Sequence, residues 1–271
     1  MRNLHYIIFS IIAILALSIS LTAQHLVQPI YKKNQFLIST DITADQQYKL
    51  NQAIGEFSNV NAKSVDVEAL IVEADLSKNA DVQFRLGTIN EDGLYGVRKN
   101  LSEAVKWYGV AIVNNHAGAK YRLGLIQQPA GGVLAEDAYR LFRSASFQGY
   151  PLAMLEQAKA HHKGIGTRVN HYSAAHWYKM AIISGVMEAN LGLGELYLVG
   201  KGVKKDVKKG LDHLLIASAA GIPEAQYKLG MVYYLGMGVD VDPIQADRWL
   251  REALKHGVAD AIQPLTMIKV A

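Results

Sequence analysis

Four histidines lie close together in the middle of the chain and raise the question of a metal site. They are His161, His162, His171 and His176. A zinc site uses two or more imidazole ligands, and His171 and His176 could meet across one helical turn. No set of carboxylates accompanies the four, and His161 occupies a position that tyrosine fills in related segments of the chain. The sequence therefore favours a packing role for these histidines, with metal binding as the alternative.

A second candidate binding site is the lysine-rich stretch VKKDVKKG at residues 203–210. Together with Lys201, it places five lysines near the predicted start of one helix. Such a cluster can meet anionic lipid headgroups, an acidic polysaccharide or an acidic protein face. A run of charge is more often a solvated convex surface, and the sequence favours that interpretation.

Motifs that carry enzymatic chemistry are missing from the sequence. There is no G-x-S-x-G, S-x-x-K or H-E-x-x-H segment, no phosphate-binding loop and no dinucleotide-binding fingerprint. The turns GKGV and GMGV are too short to cradle a phosphate. The chain has no cysteine, which excludes thiol catalysis and cysteine metal ligands. We therefore predict no catalytic residue, no cofactor and no assigned metal ligand.

The composition indicates a folded chain with a mild positive charge. Half of the 271 residues are hydrophobic, which is enough to bury one large core or two small ones. The 28 basic and 24 acidic residues are interspersed and leave a net charge of +4. Because no segment has the charge of a nucleic-acid-binding arm, we predict no nucleic-acid partner.

Two stretches reveal an internal repeat: LGELYLVGKGV at residues 193–203 and LGMVYYLGMGV at residues 229–239. A register mark, four residues before each Leu-Gly pair, recurs at intervals of 37, 34, 36, 36 and 36 residues. The marks are Val82, Ala119, Ala153, Ala189, Ala225 and Ala261. A glycine inside a helix costs about 1 kcal/mol relative to alanine. Its recurrence at one register predicts that a second helix approaches it closely.

Each unit also carries the start and stop signals of a second helix. Residues that accept hydrogen bonds from first-turn amides mark the start: Asn100, Asn170, Asp206 and Asp242, with Leu134 in their place in the second unit. Seven residues later, a bulky residue marks the predicted packing face: Trp107, Leu141, Trp177, His213 and Trp249. Eight residues further on, Asn115, Gly149, Gly185, Gly221 and Gly257 predict a left-handed helix end.

The combined pattern A-x-x-x-L-G-x-x-Y-x-x-G-x-G-V, followed by D-x-x-x-A-x-x-W-x-x-x-A-x-x-x-G, resembles the Sel1-like repeat family, which is related to tetratricopeptide repeats. The resemblance implies an all-α fold, a right-handed α-solenoid of stacked helix-turn-helix repeats of about 36 residues. We assign five repeats to residues 79–258, a degenerate N-terminal helical pair to residues 44–78 and a C-terminal capping helix to residues 259–271. Proteins that resemble this family commonly serve as adaptors in envelope assembly, polysaccharide export or signalling.

The first 23 residues have the pattern of a secretory signal peptide or of an uncleaved membrane anchor. A basic start at Arg2 precedes an apolar run from Tyr6 to Leu21. Cleavage after Ala23 is one outcome, and association with the inner membrane through residues 4–23 is the other. Residues 24–43 are predicted to be a linker. In both cases we expect the repeats to lie outside the cytoplasm, in the periplasm or secreted.

The faces of the first helices that lack the packing pattern form the predicted partner-binding surface. Positions six and nine residues after each mark change chemical type from unit to unit, whereas packing positions repeat. From them we predict a concave groove for a protein or peptide, formed by Glu91, Gln128, Lys159, His162, Glu195 and Tyr234. Ordinary variety at solvent-exposed positions is an equally open alternative.

The sequence as a whole predicts an exported, non-enzymatic scaffold of the bacterial cell envelope that binds a protein or peptide. One alternative is a polysaccharide-binding scaffold, whose affinity for an anionic glycan would fall steeply with salt. The other is a hydrolase acting on the cell wall or on β-lactam-type substrates. That activity is disfavoured because the chain lacks both cysteines and an S-x-x-K motif.

Overall fold

The computed structural model describes residues 65–268. Short turns join its α-helices, and no strand occurs in this range. In chain order the helices are α1 (Val67–Ser77), α2 (Ala80–Asp92), α3 (Leu101–Val113), α4 (Ala117–Gln127), α5 (Gly132–Phe147), α6 (Pro151–Lys163), α7 (His171–Ile183), α8 (Ala189–Val199), α9 (Val207–Ala219), α10 (Pro223–Leu235), α11 (Pro243–Lys255) and α12 (Ile262–Met267). Two 3-10 helices, Gln128–Ala130 and Ala259–Ala261, lie before α5 and α12.

The helices pack in pairs that stack along the chain. The pairs are α2 with α3, α4 with α5, α6 with α7, α8 with α9, and α10 with α11. The second helix of each pair packs against the first helix of the next pair, α1 packs on α2, and α12 packs on α11. Because each unit contacts chiefly its neighbours in sequence, residues 65–268 form an α-solenoid, and the predicted fold class is confirmed.

Side-chain caps start four of the second helices, as predicted. Asn100, Asn170, Asp206 and Asp242 are N-cap residues, and each side chain accepts a hydrogen bond from the backbone amide three residues later. The second unit departs from the prediction at Leu134. Its helix α5 begins earlier, at Gly132, and Gly131 caps it without a side-chain hydrogen bond.

Residues with a positive φ end all five second helices. The angles are 65° at Asn115, 83° at Gly149, 88° at Gly185, 80° at Gly221 and 89° at Gly257. A left-handed residue at this position turns the chain out of the helix. In the first unit, asparagine takes this conformation, and its side-chain oxygen also accepts a hydrogen bond from the ammonium of Lys120 at 2.6 Å.

The recurring helical glycines permit close approach of the second helix, as predicted. A Cβ atom built on Gly87 would lie 2.3 Å from Tyr108 Cε1, and one on Gly124 would lie 2.6 Å from Phe142 Cε1. The corresponding distance from Gly230 to Leu250 Cγ is 2.7 Å. An alanine at these positions would collide with the paired helix.

The structure corrects the packing face of the second helices by one residue. The fully buried position follows the predicted one, and its side chains are Tyr108, Phe142, Tyr178, Leu214 and Leu250, each at most 3% exposed. The predicted anchors Trp177 and Trp249 are partly exposed and cover the edges of the core clusters. The reason is steric, because the helical glycine leaves space directly opposite the residue that follows the tryptophan position.

A buried polar position links neighbouring units. Gln226 is 5% exposed, and its amide donates to the carbonyl oxygen of Ser218 at the end of the preceding unit. Its own oxygen lies 2.9 Å from Nδ1 of His256, at the end of its own unit. Gln83 repeats the first contact by donating to the carbonyl oxygen of Ala74. These bonds bring a side-chain donor to carbonyl groups in the last turn of a helix, and the Ser218 carbonyl also accepts from Gly221 N at 3.0 Å.

Several predicted segments fall outside the described residues. They are the signal peptide or anchor at residues 1–23, the linker at residues 24–43 and the first part of the N-terminal helical pair. Between residues 65 and 268, no helix has the length and apolar character needed to cross a membrane.

Candidate functional site: the face of the first helices

The six predicted groove residues all lie on first helices or directly after one, and all are partly exposed. Glu91 is in α2, Gln128 follows α4, Lys159 and His162 are in α6, Glu195 is in α8 and Tyr234 is in α10. The first helices α2 and α4 contact each other, as do α6 and α8. Side chains from successive units can therefore meet along this face.

Three predicted residues form ion pairs with the next unit. Arg122 Nε of α4 lies 3.0 Å from Glu91 Oε2, and Lys228 Nζ of α10 lies 3.1 Å from Glu195 Oε1. Lys159 Nζ lies 2.8 Å from Glu188 Oε1 and 2.9 Å from Glu156 Oε1. We call this set the inter-unit ladder; its members are Glu91, Arg122, Glu156, Lys159, Glu188, Glu195 and Lys228.

Sequence reasoning missed the other half of each ladder pair. Arg122, Glu156 and Lys228 lie three residues after their register marks, and Glu188 lies one residue before its mark. The sequence pattern predicts surface positions only at six and nine residues after each mark. A usable signal existed, because the residue three positions after the mark is charged in four of the five units. Which charge pairs with which is set by the stagger of adjacent first helices.

A buried tyrosine of the second helix α3 contacts the ladder at Glu91. The Tyr108 hydroxyl donates a hydrogen bond to Glu91 Oε2. Burial, reinforced by this bond to a carboxylate, raises the pKa of Tyr108 well above its ordinary value. The phenol therefore stays a neutral donor and holds Glu91 towards Arg122.

Lys159 remains charged although it is partly buried. Burial disfavours its ammonium form, but the carboxylates of Glu156 and Glu188 outweigh burial and raise the pKa of Lys159. Glu156 is only 9% exposed, so the lysine also neutralises a carboxylate that has little access to water. This triad lies where the third and fourth units meet.

His162 lies beside the ladder as a neutral side chain. Its Nδ1 is 3.2 Å from the Tyr178 hydroxyl. Burial lowers the pKa of His162 and prevails over the opposing negative charge of Glu195. At neutral pH this imidazole offers hydrogen bonding to a ligand without adding charge to the face.

Tyr234 and Gln128 lie apart from the ladder. Tyr234 borders a cavity of about 650 Å³ between α10 and the C-terminal segment, which Tyr227, Met231 and Met267 also line. Gln128 is the first residue of the 3-10 helix that follows α4. The structure thus groups Glu91, Lys159, His162 and Glu195 around ladder contacts and leaves the other two predicted residues at separate places.

The histidine group is dispersed by the fold. The rings of His162 and His171 lie 5.6 Å apart, whereas His161 contacts the Tyr139 hydroxyl at 3.2 Å and His176 lies against Trp177. Across residues 65–268, no three histidine, aspartate or glutamate side chains are arranged to hold a metal ion.

The chain is similar to known proteins in both sequence and structure. The family model described as Sel1 repeat matches residues 80–112, 151–186, 188–222 and 223–258. The unit that it leaves out contains α4 and α5, where the second helix lacks a side-chain cap.

A crystal structure of a Sel1 repeat protein from Oxalobacter formigenes is 30% identical and superposes with a TM-score of 0.65 over 72% of this chain and 78% of that one. A protective antigen of uropathogenic Escherichia coli strains, displaying an SLR fold, gives a TM-score of 0.66 at 23% identity over 74% of this chain and 44% of that one, and this likeness bears on the fold alone. Chitin synthase regulatory factor 3 of Schizosaccharomyces pombe is 31% identical over 212 residues, 74% of this chain and 22% of that protein. The chain spans less than half the length of the curated relatives it matches.

Proposed function

We propose that this protein, which belongs to the Sel1 repeat family, is an exported, non-enzymatic scaffold of the bacterial cell envelope that binds a protein or peptide along its first helices. Sel1 repeat proteins generally act as scaffolds for protein interactions. The export part of the proposal is supported by the signal-like pattern of residues 1–23. The binding part is supported by the face that carries the inter-unit ladder.

The observation that carries the proposal is the contrast between packing and surface positions. The packing positions of the first helices repeat, with Ala119, Ala153, Ala189 and Ala225 all fully buried. The positions six residues after the marks instead change chemical type from unit to unit, from Thr88 and Leu125 to Lys159, Glu195 and Met231. The repeated small residues let the units of the scaffold stack. The varied surface positions supply a non-repeating arrangement of charge that a specific partner can recognise.

The ladder contacts distinguish substitutions that would disturb folding from substitutions that test partner binding alone. A reversal of Lys159 would place a third carboxylate beside Glu156 and Glu188, so it would destabilise the stack. The exchange Glu195→Lys with Lys228→Glu keeps one ion pair at the same place and inverts only its direction. A partner that reads the charge pattern would lose contact, while the fold keeps its pairing.

The test is photo-crosslinking in cells followed by mass spectrometry. A photoreactive residue replaces Gln128, directly after α4, or Tyr234 of α10, or, as the control position, Tyr172 of α7, which is 77% exposed. We expect the same partner to be captured from positions 128 and 234 and not from position 172. Capture from all three positions alike, or from position 172 alone, would contradict the proposed face.

The exchanged pair gives the second arm of this experiment. Glu195→Lys with Lys228→Glu should reduce the crosslinked product. The matched control is Asp247→Arg with Arg251→Asp, which exchanges an ion pair of 2.7 Å within the second helix α11. Equal crosslinking yields from both exchanged proteins would refute recognition through the ladder.

Export has its own test. A reporter enzyme that is active only outside the cytoplasm is fused to the C-terminus. We expect activity with the full chain and none after deletion of residues 1–23. Activity that survives this deletion would count against the export proposal, and sequencing the N-terminus of the mature protein would distinguish cleavage after Ala23 from an uncleaved anchor.

A further inference from the structure

A basic cavity of about 670 Å³ lies where the third and fourth units meet. Lys179 of α7 reaches it from one unit, while Lys204, Lys205 and Lys209 reach it from the turn and helix start of the next. Tyr197 of α8, Val203 and Asp206 complete the lining. The lysine stretch that sequence analysis assigned to a solvated surface thus contributes three residues to a concave site, and tertiary structure adds a fourth from another helix.

An aromatic side chain fixes the position of two of these lysines. The ammonium groups of Lys179 and Lys209 lie 5.9 and 5.8 Å from the ring centroid of Tyr197. The Tyr197 ring stacks on His213, with centroids 5.7 Å apart and an angle of 6° between the planes. Cations near an aromatic ring are attracted by its electrostatic field, so the Tyr197 ring orients two of the cavity lysines.

The positive charge of the cavity is poorly compensated by the protein. Asp206 is the one acidic residue of the lining, and it is already engaged as the N-cap of α9 through Lys209 N at 3.0 Å. Its second oxygen pairs with Lys209 Nζ at 3.3 Å. Among residues 65–268, Lys179, Lys204 and Lys205 form no ion pair. A bound anion would relieve the repulsion between these ammonium groups.

The neighbouring histidine responds to the same field. Burial lowers the pKa of His213, and the positive charge of Lys179 adds to this effect against the opposing charge of Asp212. The imidazole behind Tyr197 is therefore neutral at neutral pH, and the lysines are the charged groups that an incoming ligand meets.

The chemistry of the lining favours phosphate. Lysine offers a compact point charge that suits phosphate oxygens, whereas planar recognition of a carboxylate uses the fork of arginine, which is not among the lining residues. The volume falls within the range of small-ligand sites, and several ammonium groups surround it. We propose that this cavity binds a ligand with two or more neighbouring phosphate groups, either soluble or in the headgroup of a lipid that carries two phosphates.

The test compares two doubly substituted proteins that lose the same charge. Lys179→Gln with Lys204→Gln removes two cavity lysines, and Lys201→Gln with Lys208→Gln removes two lysines of the same stretch that do not line the cavity. Isothermal titration calorimetry with inorganic pyrophosphate should show affinity weakened about tenfold in the first protein, because two ammonium contacts with the phosphate groups are lost. The control protein should stay close to the unchanged chain, and circular dichroism should show that both remain folded.

A vesicle arm identifies the source of the phosphate groups. Full-length proteins are sedimented with phosphatidylcholine vesicles with and without cardiolipin, so that any binding through residues 4–23 is common to both. A cardiolipin-dependent fraction that is lost with Lys179→Gln and Lys204→Gln assigns a lipid headgroup, and an effect confined to pyrophosphate assigns a soluble ligand. Equal losses in the two substituted proteins, or no binding of either pyrophosphate or the cardiolipin vesicles, would overturn the proposal. None of these residues belongs to the inter-unit ladder, so the two proposals fail independently.

Discussion

At the scale of single residues, the close approach of paired helices depends on the residue opposite each helical glycine. Gly87 lies against the ring of Tyr108, and both are inaccessible to solvent. The recurrence of glycine at one register identifies this position. Glycine has a low helix propensity, so its repeated use inside a helix indicates that close packing compensates the cost. Its partner was assigned one residue too early, to Trp107, because aromatic size alone does not show which way a helix is rotated.

This contact predicts opposite effects for two glycines in one helical pair. Gly87→Ala should destabilise the protein by about 1 to 3 kcal/mol, since the added Cβ overlaps the Tyr108 ring. Gly109→Ala in α3 meets no atom within 4 Å and should stabilise by about 0.5 to 1 kcal/mol through helix propensity. Chemical denaturation of both variants checks the pair, and a gain of stability in Gly87→Ala would show that the helices can separate without cost.

At the scale of helices, local capping chemistry sets the boundaries. Asp242 ends the turn after α10, accepts a hydrogen bond from Gln245 N at 2.9 Å and precedes Pro243 at the first helical position. These signals act within a few residues, which is why they were readable from sequence. The start of α5 was not predictable in this way. This helix follows a 3-10 turn and a glycine with φ of 70°, so the backbone conformation sets its start and no side chain caps it.

A cap substitution in α11 provides the test at this scale. Asp242→Ala should cost about 1 kcal/mol of unfolding free energy, because the amide of Gln245 loses its acceptor. Asp242→Asn retains an acceptor oxygen and should stay within a few tenths of a kcal/mol of the original protein. If both substitutions proved equally harmful in denaturant titrations, charge and not capping would be responsible.

At the scale of the whole molecule, histidines buried in several units couple stability to pH. Burial lowers the pKa of His116, His161, His162 and His213 below the ordinary value of 6.5. Below that pH the unfolded chain binds more protons than the folded one. The stability is therefore complete above about pH 6.5 and is lost as the pH falls through the lower, folded values.

We therefore expect the melting temperature to fall between about pH 7.5 and about pH 5.5. His161→Tyr places at this position the residue that Tyr197 and Tyr233 supply in later units, and it should reduce the fall. His176→Tyr changes an exposed histidine of α7 and is the matched control. Calorimetry at the two pH values checks this, and an equal pH dependence in both variants would exclude His161 as a contributor.

The solenoid also predicts that damage at one end stays local. The terminal segment packs Ala261, Leu265 and Ile268 against Leu250 of α11 and its neighbours. A chain that ends at Val258 should show faster amide exchange in α10 and α11 and unchanged exchange in α2 and α3, because units contact chiefly their neighbours. A chain that ends at Ile268 retains the contact and is the control, and uniform acceleration in the shorter chain would contradict nearest-neighbour stability.

The sequence by itself determined the repeat, its period and the ends of most helices, because caps, left-handed residues and helical glycines act over a few residues and recur at one register. It also identified Glu91, Lys159 and Glu195 as non-repeating surface positions. Only the tertiary structure decided that Arg122, Glu188 and Lys228 pair with them, that Tyr108 and not Trp107 fills the core, and that Lys179 joins the lysine stretch around Tyr197. These contacts join different helices, and they depend on the rotation and stagger of packed helices, which local chemistry leaves free.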